Sequence, residues 1–278
     1  MALTTLINNE AAFPNRTGVD AGEAIPGALI MNASTIMGEV EGDAATVRIA
    51  YVSVDPEAEI TAEGAEIEAK DPTISELIVG TQKVASLSVI SNEAYSHNSM
   101  PELIGGSLAR SIVAKADRLF LGAPAGEVGQ ANKIVGLANY QGIVDGGNLG
   151  TSLDAIIDAM AAIATNGGTP MAILLGFDAW AYMLKLKGAD KRPLISPDVA
   201  NSAEPTLFGL PVVLSAYMPA NTIIIIDKDE IVSSVGTVIA STTEDRYFEH
   251  DSVGLRATFR FGYGILHPNR IAKISAVA

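Results

Sequence analysis

The sequence predicts an α+β fold in which strands and helices occupy separate stretches of chain, and three observations carry that prediction. β-Branched and aromatic residues concentrate at 46–54 and again at 73–90, on either side of an acidic segment. One apolar stripe at helical spacing follows Pro101. Strict alternation of apolar and polar residues returns at 255–265, the period of a strand. Between the last two lies a unit with helix faces and strands of its own.

The elements follow in chain order. Residues 1–28 carry Pro14, Gly18, Gly22, Pro26 and Gly27 with no sustained period, which predicts an extended arm without a helix. Residues 40–76, which span one strand-like stretch and the start of a second, read either as a solvated acidic loop or as a long hairpin. The first stretch, Thr46 to Val54, is a good strand, and the second continues from Thr73 to Ile90. After Pro101, Ile104, Leu108, Ile112, Ala116 and Leu119 recur at i+4 and i+3, giving a helix of about 20 residues. Arg110, Lys115 and Arg118 fall off that stripe, and Gly122 with Pro124 ends it. Gly142, Gly146, Gly147 and Gly150 make the segment up to 150 a turn-rich connector.

A compact α/β unit is expected over 151–235. Thr151 with Asp154 resembles a capping box, and Leu153, Ile156, Ile157, Met160 and Ile163 form the helix face behind it. A buried strand at 171–175, a helix at 178–187 and strands at 210–215 and 222–227 complete the unit. From Leu255 to Ile265 the closing strand presents one apolar face.

Composition narrows the function. At 278 residues the chain is long enough for one large domain or two small ones. With 48% hydrophobic and only 18% charged residues, intrinsic disorder is excluded, and much of the surface is expected to meet other protein. Eighteen Lys and Arg against 32 Asp and Glu give a net charge of −14, which argues against sequence-specific nucleic-acid binding. The absence of Cys removes disulfides, thiolate metal sites and thiol nucleophiles. The first basic residue is Arg16, so no secretory signal is expected, and the longest aliphatic run, Ile223 to Ile226, is far too short to span a membrane.

No constellation of residues predicts catalysis, a cofactor or a metal. His97, His250 and His267 stand far apart and are expected at the surface or an interface. Asp227-Lys228-Asp229-Glu230 lacks the glycine and terminal glutamate of a calcium loop and predicts an N-capped turn. There is no phosphate-binding glycine pattern and no Gly-x-Ser-x-Gly elbow. The most unusual feature is charge: residues 39–76 hold 11 acids against Arg48 and Lys70, a net of −9. This strip is either a solvated loop or a hairpin laid on a basic surface. Candidate inter-subunit contacts are therefore Glu63, Glu66 and Glu68 on one side, with Arg110, Lys115, Arg118, Arg256 and Arg260 on the other.

Several local patterns resemble the major capsid proteins of tailed bacteriophages. Thr61-Ala62-Glu63-Gly64-Ala65 with Asp71-Pro72 resembles the family's extended loop, and Lys83 with Ser91-Asn92-Glu93 the strand leading to its spine helix. Ala116-Asp117-Arg118-Leu119-Phe120-Leu121-Gly122 is similar to the end of that helix. Phe208-Gly209-Leu210-Pro211-Val212-Val213, Pro219, and Gly254-Leu255-Arg256-Ala257-Thr258-Phe259-Arg260 resemble later strands. The order of these motifs covers roughly residues 40–275.

The resemblance implies a Hong Kong 97-like capsid fold. It divides the chain into an N-terminal arm (1–28), an extended loop (40–76), a peripheral domain with the spine helix (29–39, 77–150 and 236–278) and an axial domain (151–235). It implies self-association into pentamers and hexamers of an icosahedral shell around double-stranded DNA, assembled in the host bacterial cytoplasm and found in the virion. An acidic lining would suit that role, because it lets DNA slide. With Met1 as the start, scaffolding is expected from a separate protein, and portal and decoration proteins are further partners. Lys70 is the only loop lysine, and no Asn lies between Asn221 and Asn269, so covalent crosslinking is not expected. An encapsulin-type nanocompartment shell is the alternative, disfavoured by Pro14 and Pro26 where such shells carry a helix. A soluble α+β enzyme or binding protein is a second, disfavoured by the lack of convergent polar residues.

Overall fold

In the computed structural model two β-sheets divide the chain, described over residues 16–19, 21–40, 44–54, 56–61, 69–96, 100–124, 133–188, 190–195 and 205–276. The larger, seven-stranded sheet is organised around β12 (Ser252–Ile265). Along one edge β12 pairs with β4 (Thr73–Ser91), from Ser252↔Ser91 to Gly262↔Thr81. Along the other it takes first β11 (Val238–Thr243) and then β10 (Ile231–Val235). β1 (Arg16–Val19) adds to β11, and β2 (Thr35–Glu39) adds in parallel to β10. β3 (Thr46–Val54) pairs only with the first half of β4, in register from Thr46↔Gly80 to Val54↔Thr73. The two strand segments read from composition, 46–54 and 73–90, therefore form the expected antiparallel pair.

The long helix is α4 (Met100–Gly122). Its Leu108, Ile112, Ala116, Phe120 and Leu121 share one core with Phe259, Phe261, Tyr263 and Ile265 of β12. Burying a large apolar side chain contributes about 1.5–3 kcal/mol, so this seam is a major source of the protomer's stability. Phe120 and Tyr263 meet edge to face at 4.8 Å. The opposite face of β12 is covered too, which corrects the expectation of a single apolar face: Thr258, Gly262 and Gly264 are buried as well. The reason is the β3–β4 hairpin, which crosses there. A Cβ on Gly262 would stand 2.4 Å from the Gly80 carbonyl oxygen, and one on Gly264 would stand 2.8 Å from the Leu77 side chain. Only glycine admits so close a strand.

The second sheet, of six strands, runs β5 (Val144–Asn148), β13 (Ala272–Ser275), β9 (Thr222–Ile226), β6 (Ala172–Leu175), β8 (Leu210–Leu214) and β7 (Thr206–Leu207). Helices α5 (Asp154–Thr165) and α6 (Phe177–Lys185) pack on it through Ile156, Ala159, Ile163, Ala179 and Met183. Three short helices precede α4: α1 (Ala21–Ala24), α2 (Leu29–Ala33) and α3 (Asn92–Tyr95). The two sheets are joined by β9 itself, whose Ile223 and Ile225 enter the second core while Ile224 and Ile226 enter the first.

Four sequence expectations change. Residues 144–148, read as connector, are an edge strand, because pairing with β13 overrides their low strand propensity. Residues 231–235 cross to the larger sheet, and 272–275 cross back, so the compact unit is not confined to 151–235. The expected capping box at Thr151 does not form: the N-cap position of α5 is Leu153, with no side-chain cap, and Ser152 Oγ accepts from the Asp154 amide at 3.4 Å in the turn leading to it. The arm is shorter than 1–28 among the described residues. Arg16–Val19 is a paired strand, and Ala21, Ile25 and Ala28 are buried in the main core.

Candidate inter-subunit surface

Beyond Gly80 the hairpin leaves the body of the protein, and its two faces differ. Val47, Ile49, Leu77 and Val79 face inward, packing with Val232 and Leu266. On the outer face lie Val52, Ile74 and Ile78, and Val54 follows beyond a shift in register; the four are exposed by 44–71%. Four large apolar side chains on one projecting ribbon are more than an isolated hairpin leaves to solvent without reason. The basic residues of the acidic strip are already engaged within it. Lys70 Nζ lies 3.5 Å from Glu59 and 3.9 Å from Glu57, and Arg48 lies 3.4 Å from Glu76. Such exposed pairs contribute only about 0–1 kcal/mol each. Glu63, Glu66 and Glu68 lie outside the described residues.

The predicted basic partners fall into two groups. Arg110, Lys115 and Arg118 are exposed along one side of α4, as the stripe implied. The Arg118 guanidinium sits over the Tyr217 ring, 5.1 Å from its centroid, which orders that side chain by a cation–π contact. Arg256 is exposed on β12, opposite Leu87 of β4. Arg260 is different, being engaged within its own chain. Its Nη1 donates to Thr81 Oγ1 at 2.9 Å, to the Thr81 carbonyl at 3.3 Å and to the Ala44 carbonyl at 3.4 Å. Thr81 Oγ1 in turn donates to the Ala44 carbonyl at 2.5 Å, and its amide to Ala45. Arg260 therefore clamps both strands at the hairpin's root within its own chain. Its place in the alternating pattern gave no sign of this, because the partners, two carbonyls and the Thr81 hydroxyl, lie more than 170 residues away.

Two buried acids complete the electrostatics. Asp117, on the buried side of α4, accepts a hydrogen bond from the Leu29 amide at 2.8 Å. It thereby ties α2 to the long helix. Burial pushes its carboxyl up to about 6, against the lowering effect of that amide. Glu230 is also buried, and its two oxygens accept from Arg270 Nη1 at 2.5 Å and His267 Nδ1 at 2.8 Å. His267 is thus half-buried and paired, while His250 is exposed on a turn and His97 lies outside the described residues. Asp227 N-caps the turn before Glu230, accepting from Asp229 at 3.2 Å, as its sequence predicted. Among the described residues no cluster of three or more His, Cys, Asp or Glu could hold a metal ion, and no helix is long and apolar enough to cross a membrane.

The architecture can now be set beside known proteins. The family model described as the phage capsid family matches residues 28–276. No curated protein matches the chain. Among solved structures it is similar to the capsid of an empty GTA particle, with a TM-score of 0.70, 16% identity and 90% of each chain covered. It is similar to Gordonia phage Cozz, with a TM-score of 0.66, 15% identity, and 90% of this chain and 86% of that one covered. Mycobacterium phage Bobi gives a TM-score of 0.65 at 16% identity, covering 99% of this chain and 94% of the other. At such identities the likeness lies in the fold, and the family model adds the role. A sheet closed by one long strand, a long helix buried along it, a projecting hairpin and a second mixed sheet thus converge on one conclusion: the chain belongs to the phage capsid family and is a major capsid protein of Hong Kong 97-like fold, with a structural role in building the shell.

Proposed function

We propose that copies of this chain close, as pentamers and hexamers, into an icosahedral shell around packaged double-stranded DNA, and that the hairpin is the arm by which each copy holds its neighbour. The observation that carries this reading is the outer face of the hairpin, with Val52, Val54, Ile74 and Ile78 uncovered on a ribbon already anchored at its root. The acidic tip then lies across the neighbouring subunit, with Glu63, Glu66 or Glu68 close to Arg110, Lys115 or Arg118 of its long helix, or to Arg256. Arg260 is not among these partners, being engaged within its own chain. Charge complementarity at such a contact sets register and suppresses wrong pairings more than it adds affinity. A separate scaffolding protein, a portal and decoration proteins are the further partners of this reading. It places assembly in the host bacterial cytoplasm.

Electron microscopy of the purified protein tests the shell, with particles tens of nanometres across expected. Light scattering tests the contact. Because screening shortens the reach of charge from about 10 Å at 0.1 M salt to about 3 Å at 1 M, assembly of the wild type should slow as salt rises. Glu66→Lys/Glu68→Lys should slow it further at low salt. Wild-type rates from that variant at low salt would return the acidic strip to the status of a solvated loop.

A further inference from the structure

The chain passes between the two sheets three times, and the three passages are fastened to one another. The first runs from α4 to β5, the second through residues 227–230 and the third through 266–271. Glu230, on the second, holds His267 and Arg270 of the third through both carboxylate oxygens, and its carbonyl accepts from the Leu266 amide at 2.9 Å. Arg270 continues outward, its Nε donating to the Asn166 carbonyl at 3.0 Å, while Asn166 Nδ2 donates to the Asn269 carbonyl at 2.8 Å. The first passage joins through Tyr140, whose hydroxyl accepts from the Ile265 amide at 3.4 Å.

One residue of the hairpin reaches this junction. Tyr51, on the inward face of β3, sets its ring edge to face against His267, with centroids 5.7 Å apart. It also lies near enough to Tyr140 to be felt electrostatically by that hydroxyl. The hairpin's inward side is thus seated on the second and third passages through His267 and beside the first through Tyr140. We propose that the Glu230–His267–Arg270 staple is a positioning device: it fixes the angle between the two sheets, and Tyr51 makes the hairpin's direction follow that angle. A buried carboxylate shared by two donors is costly to leave with either one missing, so the staple resists opening. Chemically identical subunits in a shell of more than 60 copies occupy unequal surroundings. A junction of this kind lets one change of sheet angle re-aim the hairpin toward whichever neighbour is present. The coupling is a property of the single chain and stands whether or not the hairpin contact proposed above is correct.

Hydrogen exchange measured by mass spectrometry on the full chain, kept dilute and unassembled, tests it. Tyr51→Leu removes the aromatic contact and leaves the staple's polar groups in place. It should raise exchange roughly two- to tenfold both in the hairpin, 46–54 and 73–80, and in the passages 227–230 and 266–271, the scale expected for loss of one aromatic pair. Tyr51→Phe keeps the ring and should restore the wild-type pattern. His267→Gln retains a donor for Glu230 but loses the ring, and it should loosen the hairpin as Tyr51→Leu does. Faster exchange confined to the hairpin in Tyr51→Leu, or an unchanged hairpin in His267→Gln, would overturn the coupling. Circular-dichroism melting of each variant separates these local changes from a general loss of fold, and a fold-wide loss in both ring-removing variants would make the contact a plain core contact and overturn the proposal too.

Discussion

At Asp117 the cost of burying a charge is set against one hydrogen bond. The carboxyl titrates at about 6 instead of 3.8, because burial disfavours its charged form more than the Leu29 amide favours it. The folded chain therefore holds this proton more tightly than the unfolded chain does. Between pH 3.8 and about 6 the native state binds more protons, so the contribution of this group to stability falls as pH rises through that window. At about 1.4 kcal/mol for each pKa unit, the penalty at pH 7 approaches 3 kcal/mol. Asp117→Asn keeps an oxygen for the Leu29 amide and removes the charge. Thermal melts of the unassembled protein should show it about 1–2 kcal/mol more stable than wild type at pH 7, part of the gain being offset by a buried amide N–H. The advantage should vanish near pH 4, and a variant less stable than wild type at pH 7 would show that the charged form has a further partner.

Among the elements, β4 does two jobs that its sequence does not separate. Over 19 residues its second half pairs along one edge of β12 in the main sheet, and its first half carries β3 away from it. The change is visible in burial: even-numbered residues are exposed at 74, 76 and 78, odd-numbered ones at 83, 85, 87 and 89. Between them Gly80 and Thr81 cross β12 at Gly262, where Arg260 clamps the root. Because Val52 and Ile74 are already solvent-exposed, Val52→Lys/Ile74→Lys should leave the melting of the unassembled protein within about 0.5 kcal/mol of wild type for each substitution. The same variant should fail to form particles under conditions where wild type does. Normal particles would mean that this face is not an inter-subunit contact.

For the whole molecule, the decisive fact is that neither sheet is built from one continuous stretch of chain. β13 stands between β5 and β9 in the second sheet, although it lies beyond all of β10 to β12 in sequence. Residues 151–235 expressed alone lack both β5 and β13 and expose the face of β9 that Ile224 and Ile226 bury in the main core. That fragment should show no cooperative melting. A chain joining 142–227 to 266–276 by a short flexible linker restores the six strands and should melt cooperatively. Cooperative melting of 151–235 by itself would place the boundary back where the sequence suggested it.

Local patterns determined a good deal. The period of Leu108, Ile112 and Ala116 specified a long helix with one buried face and a basic exposed side, because helix formation depends on neighbours three and four residues away. β-Branched runs specified the hairpin strands at 46–54 and 73–90, and Asp227 specified its own turn. The ordered motifs from Glu63 to Arg260 were enough to suggest the capsid family. What the sequence left open depended on partners far away in the chain. Val144-Asp145-Gly146-Gly147-Asn148 becomes a strand only because β13 lies beside it. Arg260, exposed by alternation, turns inward because Ala44 and Thr81 offer carbonyl oxygens across the sheet. His267, isolated among its neighbours in sequence, is held by Glu230 and Tyr51, which reach it only once both sheets have formed. Periodicity is a short-range property and sets the elements; pairing and charge burial are long-range, and only tertiary structure decides them.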